Sequence, residues 1–226
     1  MKPPGTLFVV ATPIGNLEDI SLRALRVLKE VSLIACEDTR RTRGLLAHFD
    51  IHTPTVSYFE HNKLVRGPQL LTTLEEGRSV ALVTDAGTPG ISDPGFMLVR
   101  EARTRGIAVV PVPGAAALTA ALSAAGIPAD RFVFDGFLPV KPGKRLNRLK
   151  ALRALETTVV LYESPHRIVA ALGAIREVFG ELELVLAREL TKQFEEIVRA
   201  TASAHLARLA AGPIRGEFVL VIPAGR

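Results

Sequence analysis

The chain has 226 residues, of which 48% are hydrophobic and 23% charged, with a formal net charge of +5 and one cysteine. This is the composition of a folded, soluble protein with room for one large domain or two smaller ones, each with its own core. The lone Cys36 excludes an internal disulfide framework and points to a reducing compartment, and no apolar run approaches the roughly 18 residues that span a bilayer. The modest positive charge argues for an anionic partner, with nucleic acid ahead of membrane.

In chain order, residues 7–11 form a first strand. With Pro3, Pro4 and Gly5 before it and the loop 12–16 after it, this run reads better as a first strand than as a signal peptide, and the expected location is cytoplasmic. Across residues 21–31, Leu22, Leu25 and Leu28 recur at helical spacing with Arg23, Arg26 and Lys29 outward, behind a cap at Asp19 or Ser21. Residues 33–36 are a short strand ending in Glu37-Asp38-Thr39-Arg40. A basic helix carrying Arg41 and Arg43 then runs to about Phe49. Residues 56–59 form another short strand, and 69–76 a helix closed by Gly77.

Residues 80–83 read as a strand buried on both faces, with Asp85 standing at its end. The loop beyond it holds Gly87, Pro89, Gly90, Pro94 and Gly95, residues that permit tight turns and stiffen the chain. A polar loop at the carboxyl end of a strand is where an α/β sheet places a ligand. A helix over 94–104 and a strand over 107–110 follow. The alternation predicts a mostly parallel sheet with right-handed crossovers.

Pro111-Val112-Pro113-Gly114 breaks the pattern and reads as a hinge between domains 1–112 and 113–226. Residues 115–125, small, apolar and uncharged, predict a closely packed helix stopped by Gly126 and Pro128. A strand over 132–137 leads to a basic segment, 141–150, read either as a solvated helix start or as a mobile loop, and then to a helix that ends near Leu155. A buried strand over 157–161 precedes Tyr162-Glu163-Ser164-Pro165-His166-Arg167 and a helix to Phe179. Strands over 182–187 and 196–200 are separated by a connector short enough for a hairpin. A helix over 203–211 and a strand over 218–222 finish a second half whose sheet is expected to be mixed.

No G-x-G-x-x-G follows the first strand, no Walker A lysine loop occurs, and no G-x-S-x-G elbow supplies an acyl-transfer nucleophile. His48 and His52 have no accompanying Cys or Glu cluster, so no metal site is expected. What remains is a set of polar clusters after apolar strands: 13–16, 37–40, 60–62, 85–93, 113–114 and 162–167. Parallel strands bring such clusters to one edge of the sheet.

The stretches ATPIGNLEDIS (11–21), CEDTR (36–40), SYFEHN (57–62), TDAGTPGISDPG (84–95), PVPGAAALTAAL (111–122), GFLP (136–139), YESPHR (162–167), RELTKQFEE (188–196) and GEFVLVI (216–222) occur in order. Together they resemble the ribosomal RNA small subunit methyltransferase I family, within the tetrapyrrole methylase-like superfamily, over residues 7–222. The resemblance implies the tetrapyrrole methylase fold: two α/β domains, the first carrying the RNA and active-site side, with the cofactor in the interdomain cleft. It implies an S-adenosyl-L-methionine-dependent enzyme that methylates the ribose 2′-hydroxyl of a cytidine in the decoding region of 16S rRNA. The implied partners are 16S rRNA or the 30S ribosomal subunit and a second copy of the chain in a homodimer, with no membrane and no metal. The implied cofactor contacts are Pro13, Ile14, Asp85, Thr88, Pro89, Gly90, Ala115, Ala116, Ala117, Tyr162, Glu217 and Phe218, with Glu163 beside Tyr162. Where the superfamily often has serine after Pro-Gly-Pro, this chain has Ala115 and Ala116, so contact there is expected through backbone amides. Many relatives also continue past the last strand into a helical extension, which this sequence does not include.

Methyl transfer to oxygen is an in-line displacement, helped by alignment in a dry site and by a base for a poorly nucleophilic hydroxyl. Glu37, Asp38, Glu163 and His166 are the candidates, with Arg40 and Arg167 holding flanking phosphates through their planar forks. Glu37, Asp38 and Arg40 equally suit a local ion-pair network. Lys141, Lys144, Arg145, Arg148 and Lys150 read either as a solvated face or as RNA contacts whose affinity falls with salt. A methylase acting on a tetrapyrrole carbon or other small acceptor, and a non-catalytic ribosome-assembly module, are the competing readings.

Overall fold

A computed structural model describes residues 3–92 and 95–224, so Asp93, Pro94 and Arg226 lie outside the described residues. The chain divides into two compact units, residues 1–116 and 117–226.

In the first unit, β1 (Thr6–Val10), β2 (Leu33–Cys36), β3 (Thr55–Ser57), β4 (Val80–Leu82) and β5 (Ala108–Val112) alternate with α1 (Leu22–Glu30), α2 (Thr39–His48), α3 (Lys63–Glu75) and α4 (Phe96–Thr104). All five strands are parallel, in the order β3-β2-β4-β1-β5. The side-chain period of two sends Ile34, Cys36 and Ala81 to one face, against Ala24, Val27 and Leu28 of α1 and Leu46 of α2. It sends Ala35, Val80 and Leu82 to the other, against Leu70 and Leu74 of α3 and Leu98 of α4. Both faces of the central strands β2 and β4 are covered, which is why they are wholly apolar. The chain leaves β1 and β2 toward one face and β4 toward the other. At the carboxyl edge the segments after these strands are nevertheless tied together, Thr12 to Gly87 and Asp38 to Asp85.

Two differences from the sequence expectation have local causes. Helix α3 begins at Lys63, six residues before the expected Gln69, and runs through Pro68. Proline there removes one bond, to the Leu64 carbonyl, and the packing of Leu70, Leu71 and Leu74 outweighs it. Strand β5 likewise continues through Pro111, paired with Val9, to Val112. It lies at the sheet edge, where a missing N–H breaks no ladder.

The second unit contains α5 (Ala117–Ala124), β6 (Phe132–Phe137), α6 (Pro142–Arg153), β7 (Thr158–Glu163), α7 (Ile168–Phe179), β8 (Glu183–Arg188), β9 (Glu196–Thr201), α8 (Ala202–Ala210) and β10 (Phe218–Ile222). Its sheet is mixed, in the order β6-β7-β10-β8-β9, with only β6 and β7 parallel and β8–β9 an antiparallel hairpin. Helices α6, α7 and α8 bury Leu149, Leu152, Leu172, Ile175 and Ala202 against Leu161, Phe218 and Leu220. Helix α5 packs on β7 and β10. The basic segment, read either as a helix start or as a loop, is helical from Pro142. Proline fits the first turn, where its missing N–H would have had no intrahelical partner.

Candidate active site

Three segments of the first unit meet at the carboxyl edge of its sheet. Thr12, just past β1, exchanges backbone hydrogen bonds with Gly87 at 2.9 and 3.0 Å, and its buried hydroxyl donates to the Thr84 carbonyl at 3.0 Å. The Thr88 hydroxyl donates to the Ala115 carbonyl at 3.3 Å. Gly87 has φ +86°, and a Cβ there would lie 3.5 Å from Ile14 Cγ2 and 3.8 Å from the Ala115 oxygen. A side chain at Gly87 would be strained and would fill the space between these loops. Gly114 is as tightly placed, with a virtual Cβ 3.0 Å from that of Ala11. Ile14, Thr88 and Ala115 thus meet around Gly87 in a cradle, with Pro13, Pro89, Gly90 and Ala116 next to them along the chain. It suits a ligand held mainly through main-chain groups.

Beside this cradle, β2 delivers its acids. Asp38 caps α2: its Oδ1 accepts from the Arg40 N–H at 2.8 Å, and its two oxygens take the Arg40 guanidinium at 3.2 and 2.9 Å. Those contacts, the Arg40 side chain first, hold the Asp38 carboxyl well below its ordinary 3.8, at about 2. Glu37 is exposed, and its Oε2 takes a long 3.5 Å contact from the Thr84 hydroxyl. Asp85 turns toward α2, accepting from the Asp38 N–H at 3.0 Å and lying 3.4 Å from Arg41 Nη1. Arg43 is exposed, with Nε donating to Thr55 Oγ1 at 3.3 Å.

Asp38 carries a pH prediction. Its folded pKa is depressed, so its share of stability is present above 3.8 and is lost only as pH falls toward about 2. Titration of the Asp38 carboxyl by NMR should show a midpoint below 3.8, so no activity limb at higher pH belongs to Asp38; a midpoint at or above 3.8 would contradict the Arg40 clamp.

In the second unit the period of two separates Tyr162 from Glu163. The Tyr162 hydroxyl accepts from the Leu118 N–H, at the start of α5 next to Ala117, at 3.1 Å, among the rings of Phe134 and Phe137. Burial raises the Tyr162 pKa. The Glu163 side chain, 1% exposed, points to the opposite face and lies 3.3 Å from Arg167 Nε. Burial pushes its carboxyl up, against the Ser164 N–H and the charges of Arg167 and Arg145. Arg167 also donates to the Leu138 carbonyl. Glu163 is thus enclosed, and Arg167, 26% exposed, is engaged with it. His166 is exposed on the turn between them.

The remaining candidates separate. Phe218 is a core residue with Arg188 over its ring, and exposed Glu217 pairs with Lys192 at 2.9 Å. Lys141, which caps α6, and Lys144 and Lys150 on it are exposed, and Arg148 is clamped to Asp135. Arg145, expected among the RNA contacts, is instead buried. Thr12 and Thr84, which tie the strand ends together, were not singled out from sequence; the signal available was a threonine at a strand end just before a Pro- or Gly-containing loop. Among the described residues no group of three or more His, Cys, Asp or Glu could hold a metal ion, and no helix is long and apolar enough to cross a membrane.

The tetrapyrrole (corrin/porphyrin) methylase family model matches residues 6–205. A ribosomal RNA small subunit methyltransferase I from Pseudomonas aeruginosa is 54% identical over 222 residues, covering 96% of this chain and 78% of that protein. The chain belongs to the ribosomal RNA small subunit methyltransferase I family. Among solved structures, a diphthine synthase superposes with a TM-score of 0.75 at 18% identity, covering 97% of this chain and 90% of the other. A uroporphyrin-III C-methyltransferase from Thermus thermophilus, complexed with S-adenosylhomocysteine, does so with 0.67 at 20%, covering 96% and 97%. Both share the tetrapyrrole methylase fold, and membership of the family makes the chain a methyltransferase.

Proposed function

We propose that this chain transfers a methyl group from S-adenosyl-L-methionine to the 2′-hydroxyl of a cytidine in the decoding region of 16S rRNA, as a cytoplasmic homodimer acting on the 30S subunit. The observation that carries the reading is the exposed Glu37 at the end of β2, next to a cradle of main-chain groups and at the start of a helix bearing Arg40, Arg41 and Arg43. The cradle fits the cofactor: Pro13, Ile14, Thr88, Pro89, Gly90 and Ala115 offer backbone groups around glycine-sized space. When bound, S-adenosylmethionine supplies a methyl carbon activated by a positive sulfur.

The chain's own residues do the rest. Glu37 accepts the hydrogen bond of the ribose hydroxyl and takes its proton as the oxygen attacks. Asp38, held near pKa 2 with both oxygens on Arg40, is too weak a base for that step and instead fixes Arg40 beside the RNA. Arg40, Arg43, Lys141 and Lys144 meet phosphates, with Arg40 and Arg43 offering planar forks and the two lysines point charges.

Label transfer from radioactive cofactor to 30S subunits, naked 16S RNA and a precorrin-type acceptor tests the reading. Transfer to an RNA-containing acceptor, lost when the target 2′-hydroxyl is replaced by hydrogen, is expected. Transfer only to the small acceptor would overturn it, and tight RNA binding without transfer would make the chain a binding module.

A further inference from the structure

The loop after β4 is the one that family resemblance hands to the cofactor, yet its acid is turned away from the cradle. Asp85 uses one oxygen to accept the backbone N–H of Asp38 at 3.0 Å and directs the other at Arg41 Nη1, 3.4 Å away. Its side chain is 20% exposed, whereas that of Arg41 is 72% exposed. Asp38 is the capping residue of α2 and grips Arg40. One carboxylate thus ties the start of α2 to a strand end 47 residues further along the chain. A negative charge there satisfies a helix-terminal N–H, complements the helix dipole and holds a guanidinium by charge-assisted contact.

We propose that Asp85 is a positioning residue for RNA: it sets the turn from Asp38 to Arg41 so that both arginines face the substrate's phosphates, and it does not hold the cofactor. The proposal rests on the RNA methylation reading. Arg41 is too exposed to keep one conformation unaided, because a long side chain on a solvated helix start loses rotamer freedom when it is fixed. Asp85 supplies the restraint, and the neighbouring Thr88, Pro89 and Gly90 remain for the ligand in the cradle.

The test uses the full chain carrying Asp85→Asn, Arg41→Met, or both. Asparagine keeps an acceptor for the Asp38 N–H but removes the charge that holds Arg41. S-adenosylhomocysteine affinity is measured by calorimetry, and methylation kinetics are measured against 30S subunits and against cofactor. Asp85→Asn should raise KM for the RNA substrate roughly tenfold while cofactor affinity stays within about twofold. Because both changes act through one contact, Asp85→Asn should add nothing in the Arg41→Met background.

A rise in the S-adenosylhomocysteine Kd of about tenfold or more, with or without an RNA effect, would overturn the proposal. So would an unchanged RNA KM, or fully additive losses in the double variant. Should Asp85→Asn fail to fold, Arg41→Met and Asp85→Glu carry the test. The first must raise the RNA KM with cofactor affinity kept, and the second must leave the RNA KM near that of the unsubstituted chain; either result reversed would end the idea. Failure of the methylation reading looks different, since the unsubstituted chain would then transfer no label to RNA.

Discussion

Glu37→Ala is expected to lower kcat for RNA methylation by roughly 10²- to 10⁴-fold, the usual worth of a positioned general base. S-adenosylhomocysteine affinity, measured in parallel by calorimetry, should stay within about twofold, since the cradle is made by other residues. The size follows from the chemistry. A ribose hydroxyl is barely ionised at neutral pH, so the attacking oxygen depends on an acceptor aligned with its proton. Glu37 is exposed at the strand end, beside the Thr84 hydroxyl. Asp38 is locked to Arg40, and Glu163 is enclosed in the second unit's interior. Full activity in Glu37→Ala would sink the assignment.

Arg145→Glu is expected to destabilise the fold by about 3–5 kcal/mol, the range for leaving a buried charge uncompensated. Arg145 is 9% exposed, and its charge acts on buried Glu163. A second carboxylate in that place would sit among Glu163 and the α6–α7 core with only Arg167 to balance two acids. Glu163 Oε2 and Arg145 Nε are buried without a hydrogen-bond partner, and Arg167 Nε lies within ion-pair distance of Glu163 but not in hydrogen-bond alignment. The cluster therefore tolerates little further loss. Thermal and denaturant unfolding measure the effect. Lys144→Glu, one residue earlier and exposed, is the control: it should leave the unfolding midpoint near that of the unsubstituted chain and weaken RNA binding more at low salt than at high. Equal destabilisation by the two substitutions would refute the inward placement of Arg145.

These neighbours also show where reading from sequence stops. Strands at Leu33–Cys36, Phe132–Phe137 and Phe218–Ile222 were legible to the residue, because each is an apolar run bounded by polar or turn-forming neighbours. Helix α6 was legible only in part. Once Pro142 and Gly143 are taken for a loop, the inward stripe Arg145, Leu149 and Leu152, spaced four and three apart, loses its first member. A long cationic side chain on the apolar side of a helix then passes for surface. Tyr162 and Glu163 show the complementary failure. Both stand in one polar cluster in the sequence, but they end a strand, so the pleat sends them to opposite faces.

The sequence by itself determined the alternation of strands and helices, the parallel first sheet and mixed second one, and the family. Those rest on periodicity, on turn-forming glycines and prolines, and on ordered motifs, all readable within short windows. Tertiary structure alone decided that β4 lies between β1 and β2, and so that Thr84 meets Glu37 and Asp85 meets Asp38 across 47 positions. Strand order is set by burying both faces of a sheet at once, a condition on the whole chain that no short stretch records. Asp85 stood in the sequence as one acid in a ligand loop, and only the packing of β4 against β2 made it the residue that holds α2 in place.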